Sequence, residues 1–108
     1  MGISPDSGIN RPERMTYRES DVVSRYIVSD SARHGGRPFI AGSEVLVQYV
    51  YEWHEILGLS AETIARATNL SLAKIYSALA FAHEYPSSIE TLLTQDQDRG
   101  WYTPTLQP

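Results

Sequence analysis

The length and composition of the chain predict a single small domain. Of its 108 residues, 42% are hydrophobic, which supports a core so small that a partner chain would add stability. The absence of cysteine excludes disulfides and thiolate metal sites and fits a reducing cytoplasm. No run of about 18 apolar residues is available to span a membrane, and the polar N-terminus lacks the apolar segment of a signal peptide. We therefore expect a cytoplasmic protein with no membrane partner.

The net charge of −4 is unfavourable for binding nucleic acid, but the charge is unevenly distributed. Between Arg11 and Arg37, six arginines stand against four acids, a net charge of +2. From Glu44 onwards, three basic residues stand against eight acids, a net charge of −5. A positive surface would therefore have to come from the N-terminal part of the chain.

Residues 1–24 are expected to form a flexible N-terminal arm. Gly, Pro, Ser and Asn are frequent in residues 1–13, a composition typical of mobile termini. Residues 14–24 fit either a short helix or an extended arm. A solvated arm without a partner is favoured, and the alternative is an arm that supplies phosphate contacts in a complex with DNA. The basic side chains concerned are Arg11, Arg14 and Arg18.

A short β-hairpin is predicted next, from two strand-forming runs at residues 25–30 and 39–41. The glycine-rich turn at residues 34–37 lies between them. It lacks the Gly-x-x-x-x-Gly-Lys-Ser/Thr pattern of a phosphate-binding loop and precedes a strand, which favours a hairpin turn. Since an isolated hairpin is barely stable, it must pack on the helices or on a second copy.

A scaffold helix is predicted over residues 45–57, with Ser43 as its N-cap. The segment is apolar nearly all round, which indicates burial on more than one side. In a chain this short, we take the second side to be another subunit and predict a homodimer. Tyr49, Val50 and Trp53 are the candidate interface residues, because large aromatic side chains favour such positions.

Residues 59–84 predict a helix-turn-helix, around which the rest of the chain is organised. Ser60 caps a short first helix, Asn69 tolerates the left-handed backbone of a tight turn, and Ser71 caps a longer second helix. A short helix, a tight turn and a longer helix are the parts of this motif. Its small shared core would consist of Ile64, Leu70 and Ile75.

The chain then divides into a last helix and a tail. Pro86 stops the second helix, and a last helix over residues 89–95 follows with Ser87 or Ser88 as its cap. The predicted organisation is an arm (1–24), a helix-turn-helix domain with a leading hairpin (25–95) and a polar tail (96–108). The aromatic side chains of the tail are either pinned to the domain surface or offered to a partner; they are Trp101 and Tyr102.

The start of the second motif helix is the candidate DNA-reading surface. Small and hydroxyl side chains can approach base edges, and a lysine can reach a phosphate or a guanine. One lysine is a small electrostatic footprint beside the six to ten phosphate contacts of a strongly salt-dependent binder, so the exposed face of a purely structural helix is the alternative. The candidates are Ser71, Ala73, Lys74, Tyr76 and Ser77, with Arg66 from the first helix as a phosphate contact.

Neither a metal site nor a catalytic site is predicted. The three histidines are far apart and form no His-x-x-x-His pair. His54 and Glu55, near Glu52, would at most form a carboxylate–imidazole cluster at the dimer interface. The chain has no Gly-x-Ser-x-Gly motif and no evident carboxylate pair in an apolar pocket. We therefore expect no cofactor and no enzymatic activity.

Residues 25–90 resemble a bacterial family known as domain of unknown function 433, whose members are common in cyanobacteria. The resemblance rests on three stretches in order. The first is RYIVSD followed by HGGRPFIAGSEV, the second is the helix that ends in LGLSAETIA, and the third is NLSLAKIYSALAFAHEYPSSIE. One departure is Glu44, which stands where the family usually has a basic residue.

The resemblance implies a mainly α fold, in which a short N-terminal β-hairpin precedes a homeodomain-like helix-turn-helix in a three- to four-helix bundle. Some members of the family look like antitoxins paired with a PIN-type nuclease toxin. The implied function is a DNA-binding transcriptional regulator of antitoxin type, with DNA and a PIN-type toxin as partners. The alternative is a dimeric protein-interaction module that keeps the fold without binding DNA, favoured by the acidic helical half, Glu44 and the aromatic tail.

Overall fold

The computed structural model describes residues 25–106, so the arm predicted over residues 1–24 lies outside the described part. Two short strands come first, β1 (Ile27–Val28) and β2 (Phe39–Ile40). Four helices follow them: α1 (Val47–Tyr51), α2 (Ala61–Thr68), α3 (Leu72–Glu84) and α4 (Pro86–Asp98). The predicted mainly α fold with a leading β-hairpin is confirmed.

The two strands pair antiparallel, with Ile27 opposite Ile40 and Val28 opposite Phe39. The connection between them is a loop that includes the predicted glycine-rich turn. It contains a short 3-10 turn over His34–Gly36, in which His34 and Gly35 adopt positive φ angles of 53° and 62°. The strands are also shorter than predicted: each has two residues, and one further hydrogen bond, from Ala41 N to Tyr26 O at 2.8 Å, extends the pairing.

The scaffold helix begins at Val47 and not at Val45 as predicted, because the preceding residues pair with the hairpin. Ile40 N donates to Val45 O at 2.9 Å, and Leu46 forms an isolated bridge with Phe39. Ser43 is therefore not the helix cap. Its hydroxyl closes the preceding turn, donating to Ile40 O at 2.8 Å and accepting from Val45 N at 3.1 Å.

The second half of the scaffold helix also differs from a regular α-helix. Beyond Tyr51 the chain continues as a wider π-helical turn over Glu52–Ile56, and Gly58 then turns the chain with a positive φ of 77°. The prediction of one regular helix over residues 45–57 is thus corrected at both ends.

The two helices and the turn predicted over residues 59–84 form as their local signals predict. The Ser60 hydroxyl accepts from Thr63 N at 3.0 Å and the Ser71 hydroxyl accepts from Lys74 N at 3.2 Å, so both helices are capped. Asn69 between them adopts the left-handed conformation with φ 59° and ψ 37°. In the predicted shared core Ile64 and Ile75 are fully buried and Leu70 is packed against them in part.

The last helix, α4, is longer than predicted at both ends. It begins at Pro86, whose fixed φ suits the first position of a helix, so Ser87 and Ser88 lie inside the first turn and are not caps. It ends at Asp98 and not near Gln95. Its buried residues Ile89, Leu93 and Asp96 follow helical spacing and form one inward face.

The residues after α4 form an extended segment that is pinned to α1 and its π-helical extension. Trp53 Nε1 donates to Pro104 O at 2.8 Å, and Thr103 Oγ1 donates to Glu52 Oε1 at 2.7 Å. Leu106 packs against the core. Among the helices of residues 25–106, none has the length and apolar character needed to cross a membrane.

Candidate functional site

The first turn of α3 is exposed to solvent. Ser71 and Ala73 are exposed and Lys74 is half-buried, while Arg66 is exposed on α2. Tyr76 on the next turn is 51% exposed. These five of the six predicted contact residues are therefore accessible, and Leu72 adds an apolar side chain that is 41% exposed.

Ser77 does not belong to this surface, and its predicted role is corrected. It is 3% exposed, and its hydroxyl donates to Ala73 O at 2.7 Å. A serine that bonds to the carbonyl four residues before it has its hydrogen-bonding capacity directed at its own helix. Ser77 lies beside the buried Ala78 and Ile75 on the core face, so it cannot reach a base edge.

The charge near this surface is balanced and not strongly negative. The helix-turn-helix carries two acids, Glu62 and Glu84, against Arg66 and Lys74. Within residues 25–106 the structure has no ion pair that involves Arg66 or Lys74 (the pairs are those of Arg33, His34, Arg37, His54 and His83). The excess of acids in the second half of the chain therefore lies largely outside the motif.

The predicted dimer residues are largely used inside the chain. Val50 and Trp53 are 0% and 2% exposed because α3, α4 and the C-terminal segment cover α1. They cannot form an interface with a second copy in this fold. Tyr49 is half-buried. The apolar residues of α1 are thus explained by burial inside the chain, whereas Ile56 and Leu57 at the end of the predicted scaffold helix are 60% and 59% exposed. A homodimer would need a surface other than Val50 and Trp53.

Glu44 contacts two basic side chains of the loop between β1 and β2. Its Oε2 lies 3.2 Å from Arg33 Nη2 and its Oε1 lies 3.1 Å from His34 Nε2. The Arg33 guanidinium in turn lies 4.5 Å from the centre of the Phe39 ring. The Glu44 carboxylate therefore ties the segment after β2 to the loop between the strands. The pair is exposed, so its contribution to stability is small.

A buried polar network joins the loop before β2 to α1 and α4. Arg37 binds Asp96 through two parallel hydrogen bonds, from Nε to Oδ2 at 3.0 Å and from Nη2 to Oδ1. Gln48 Nε2 donates to the same Oδ2 at 2.9 Å. The remaining Arg37 Nη1 donates to His34 O at 3.0 Å. This bidentate, charge-assisted arrangement fixes Arg37 between α1 and α4.

The network also determines the ionisation of nearby groups. Burial alone would raise the pKa of Asp96, but hydrogen bonds from Arg37 and Gln48, with the charges of Arg37 and Arg99, outweigh burial and lower it. Burial raises the pKa of Tyr49, and the negative charge of Asp96 raises it further, against the opposing charge of Arg37. Asp96 is therefore ionised and Tyr49 is protonated at neutral pH.

An open cleft of about 530 Å³ lies beside this network. It is lined by parts of the hairpin loop, α1, α4 and the C-terminal segment, including Arg37, Gln48, Tyr49, Asp96, Trp101 and Tyr102. The Arg37 guanidinium lies 5.3 Å from the centre of the Trp101 ring. Trp101 and Tyr102 remain 61% and 69% exposed, so the aromatic side chains of the pinned segment still face solvent.

Sequence reasoning missed the network because it assigned Asp96 to a polar tail. The signal that would have found it is helical spacing: Asp96 continues the apolar face of Ile89 and Leu93. A carboxylate on a buried helix face needs a partner, usually an arginine. The sequence alone does not identify Arg37 as that partner, since it is distant along the chain.

His54 and His83 lie near one carboxylate, that of Glu55. His83 Nε2 lies 3.0 Å from Glu55 Oε2, and His54 Nε2 lies 3.8 Å from the same oxygen. His54 Nδ1 lies 2.8 Å from Leu59 O. Glu52, which the predicted cluster included, instead accepts from Thr103. In residues 25–106 no group of three or more His, Cys, Asp or Glu side chains is arranged to hold a metal ion.

The sequence of the chain matches the model of a protein family over residues 27–82. The description of that family is protein of unknown function (DUF433). No curated protein and no solved structure matches the chain at a significant level. The matched residues contain the hairpin, α1, α2 and most of α3, and they end before α4.

Proposed function

Because this chain belongs to the DUF433 family of proteins of unknown function, whose description gives no activity, we propose a function from its exposed helix-turn-helix. The function that we propose is that of a DNA-binding transcriptional regulator of antitoxin type. The observation that carries the proposal is the accessible first turn of α3. The left-handed residue Asn69 and the N-cap Ser71 fix the position of this first helical turn.

The side chains on this turn suit a groove of DNA. Ser71 and Ala73 are small enough to let the helix backbone approach base edges, and exposed apolar groups can contact a thymine methyl group. Lys74 and Arg66 supply positive charge for phosphates on either side of the turn between the helices. The balanced charge of the motif lessens the objection that the net charge of −4 raises, since the excess of acids lies outside it.

The test is fluorescence anisotropy of the full chain with labelled DNA from the region upstream of its own gene, titrated with salt. We expect tight binding that weakens steeply as salt rises and that exceeds binding to scrambled DNA of the same composition. No binding at low salt by the folded protein would contradict the proposal.

Two charge-reversal variants test whether α3 makes the contact with DNA. Lys74→Glu is expected to abolish DNA binding while the protein stays folded. Arg99→Glu makes the same change in net charge at the end of α4 and is expected to retain most of the affinity. Equal binding by wild type and Lys74→Glu would refute the role of this helix.

The antitoxin part of the proposal rests on the family resemblance and concerns a partner protein. It predicts a small PIN-type nuclease encoded beside this gene, and a complex of the two proteins when they are co-expressed. A neighbouring nuclease gene whose product does not bind this chain would leave DNA regulation as the proposal and remove its antitoxin part.

A protein-interaction module without DNA binding is the second candidate, favoured by the exposed Trp101 and Tyr102 on a pinned segment. It predicts a partner that co-purifies with the wild type and is lost with Trp101→Ala and Tyr102→Ala together. These substitutions are preferable to removal of the whole predicted tail (96–108), because that truncation would remove Asp96 and leave Arg37 buried without its partner. Retention of the partner by the double variant would contradict this candidate.

A further inference from the structure

The cleft beside Arg37 and Asp96 plays no part in the proposed DNA contact. Four separate parts of the chain line it: the hairpin loop, α1, the end of α4 and the C-terminal segment. Its volume of about 530 Å³ falls in the range of roughly 300–1,000 Å³ that is typical of small-molecule pockets. The size therefore suits a ligand of one or two rings.

The charged groups in the cleft neutralise one another. Asp96 accepts from Arg37 on both carboxylate oxygens and from Gln48 on one of them. The remaining terminal nitrogen of Arg37 donates to His34 O. A charged ligand would have to break these bonds in order to pair with either group, so the cleft suits an uncharged ligand.

One buried acceptor in the wall of the cleft lacks a partner. Gln48 is 2% exposed, and its Oε1 accepts no hydrogen bond from any group in residues 25–106. A buried carbonyl without a donor costs free energy, and such groups are rare in folded proteins. Gln48 is one of the residues that line the cleft, so a rotation of its side chain that turns Oε1 towards the cleft would let a ligand N–H supply the missing donor.

The mouth of the cleft carries aromatic rings with free surface. Trp101 and Tyr102 are more than half exposed, yet the segment that bears them is held by hydrogen bonds at Thr103 and Pro104. Aromatic faces on a backbone that is already ordered suit stacking with a planar ligand, because binding does not have to order the segment.

We propose that this cleft binds a free, uncharged, planar nitrogen heterocycle that carries an N–H donor, the chemistry of a purine base. Stacking on the aromatic residues and one hydrogen bond to Gln48 would hold the ligand. The neutral Arg37–Asp96 pair would form the floor. This binding does not depend on the proposed DNA contact.

The test is a titration of the full chain with adenine, followed by calorimetry and by the indole N–H signals in nitrogen-15 NMR spectra. We expect saturable binding that shifts the signal of Trp101. Theophylline and caffeine test the donor, since both are planar and uncharged and caffeine lacks the ring N–H. Theophylline is expected to bind about tenfold or more tightly than caffeine.

Variants locate the binding. Trp101→Ala is expected to weaken adenine binding by about tenfold or more. Tyr102→Ala is a second variant in case the first disturbs the fold. Tyr76→Ala removes an aromatic residue of similar exposure on α3 and is expected to leave the affinity unchanged.

Three outcomes would overturn the proposal. The first is no signal change with millimolar adenine and theophylline. The second is equal affinity for theophylline and caffeine, which would remove the donor requirement. The third is binding of adenosine monophosphate that is much tighter than binding of adenosine, which would contradict an uncharged site.

Discussion

Asp96 is the residue whose replacement is expected to affect stability most among the polar groups. Its side chain and that of Arg37 are 6% and 12% exposed, and Asp96→Asn leaves the buried guanidinium without a counter-charge. Breaking one side of a buried ion pair costs about 3–5 kcal/mol. We expect a loss of that order in the free energy of unfolding, measured in urea.

Asp98→Asn is the matched control for this substitution. Asp98 is exposed near the end of the same helix, so its neutralisation is expected to change the free energy of unfolding by no more than about 0.5 kcal/mol. Similar losses for the two variants would show that the Arg37–Asp96 pair does not stabilise the fold.

The lowered pKa of Asp96 predicts how stability depends on pH. A carboxyl whose pKa is lower in the folded than in the unfolded chain binds more protons when unfolded, so its contribution is complete above the ordinary pKa of 3.8. The contribution is lost as pH falls from that value through the folded-state pKa. We expect wild type to lose stability more steeply than Asp96→Asn below pH 3.8, in unfolding curves measured from pH 7 downwards. Parallel curves would contradict this prediction.

At the level of elements, the helix-turn-helix was predictable because its signals are local. Ser60, Asn69 and Ser71 each act on backbone groups within four residues. The errors have two causes. Val45 and Leu46 are apolar and were assigned to the helix, but they pair with β2, which lies just before them in the chain. Asp96 was assigned to the tail although it continues the helical spacing of Ile89 and Leu93, and its partner Arg37 lies in another element, so spacing along the chain does not identify that partner.

The turn between α2 and α3 provides a test at this level. Asn69 has a positive φ, which asparagine tolerates and glycine adopts freely, whereas a β-branched side chain clashes with the backbone. Asn69→Val is expected to lower the free energy of unfolding by about 1–2 kcal/mol. Asn69→Gly, the control, is expected to stay close to wild type. Equal thermal midpoints for the two variants would contradict the left-handed turn.

Across the whole molecule, the matched family region does not contain all of the core. The match ends at residue 82, but Ile89 and Leu93 of α4 are 0% and 6% exposed. Asp96 on the same face neutralises Arg37, which lies inside the matched region. In this chain the hairpin and α1 therefore depend on a helix that the family model does not include.

Truncation separates the contribution of α4 from that of the C-terminal segment. A chain that ends after Tyr85 loses the apolar face of α4 and leaves Arg37 without its carboxylate, so we expect it to lack a cooperative thermal transition by circular dichroism. A chain that ends after Gly100 keeps both and loses the hydrogen bonds from Trp53 to Pro104 and from Thr103 to Glu52, together with the packing of Leu106. We expect it to fold with a lower midpoint, since each hydrogen bond contributes about 0.5–1.5 kcal/mol. A cooperative transition in the chain that ends after Tyr85 would mean that the matched region folds alone. The buried Arg37–Asp96 pair would then serve to dock α4 onto a domain that is already complete.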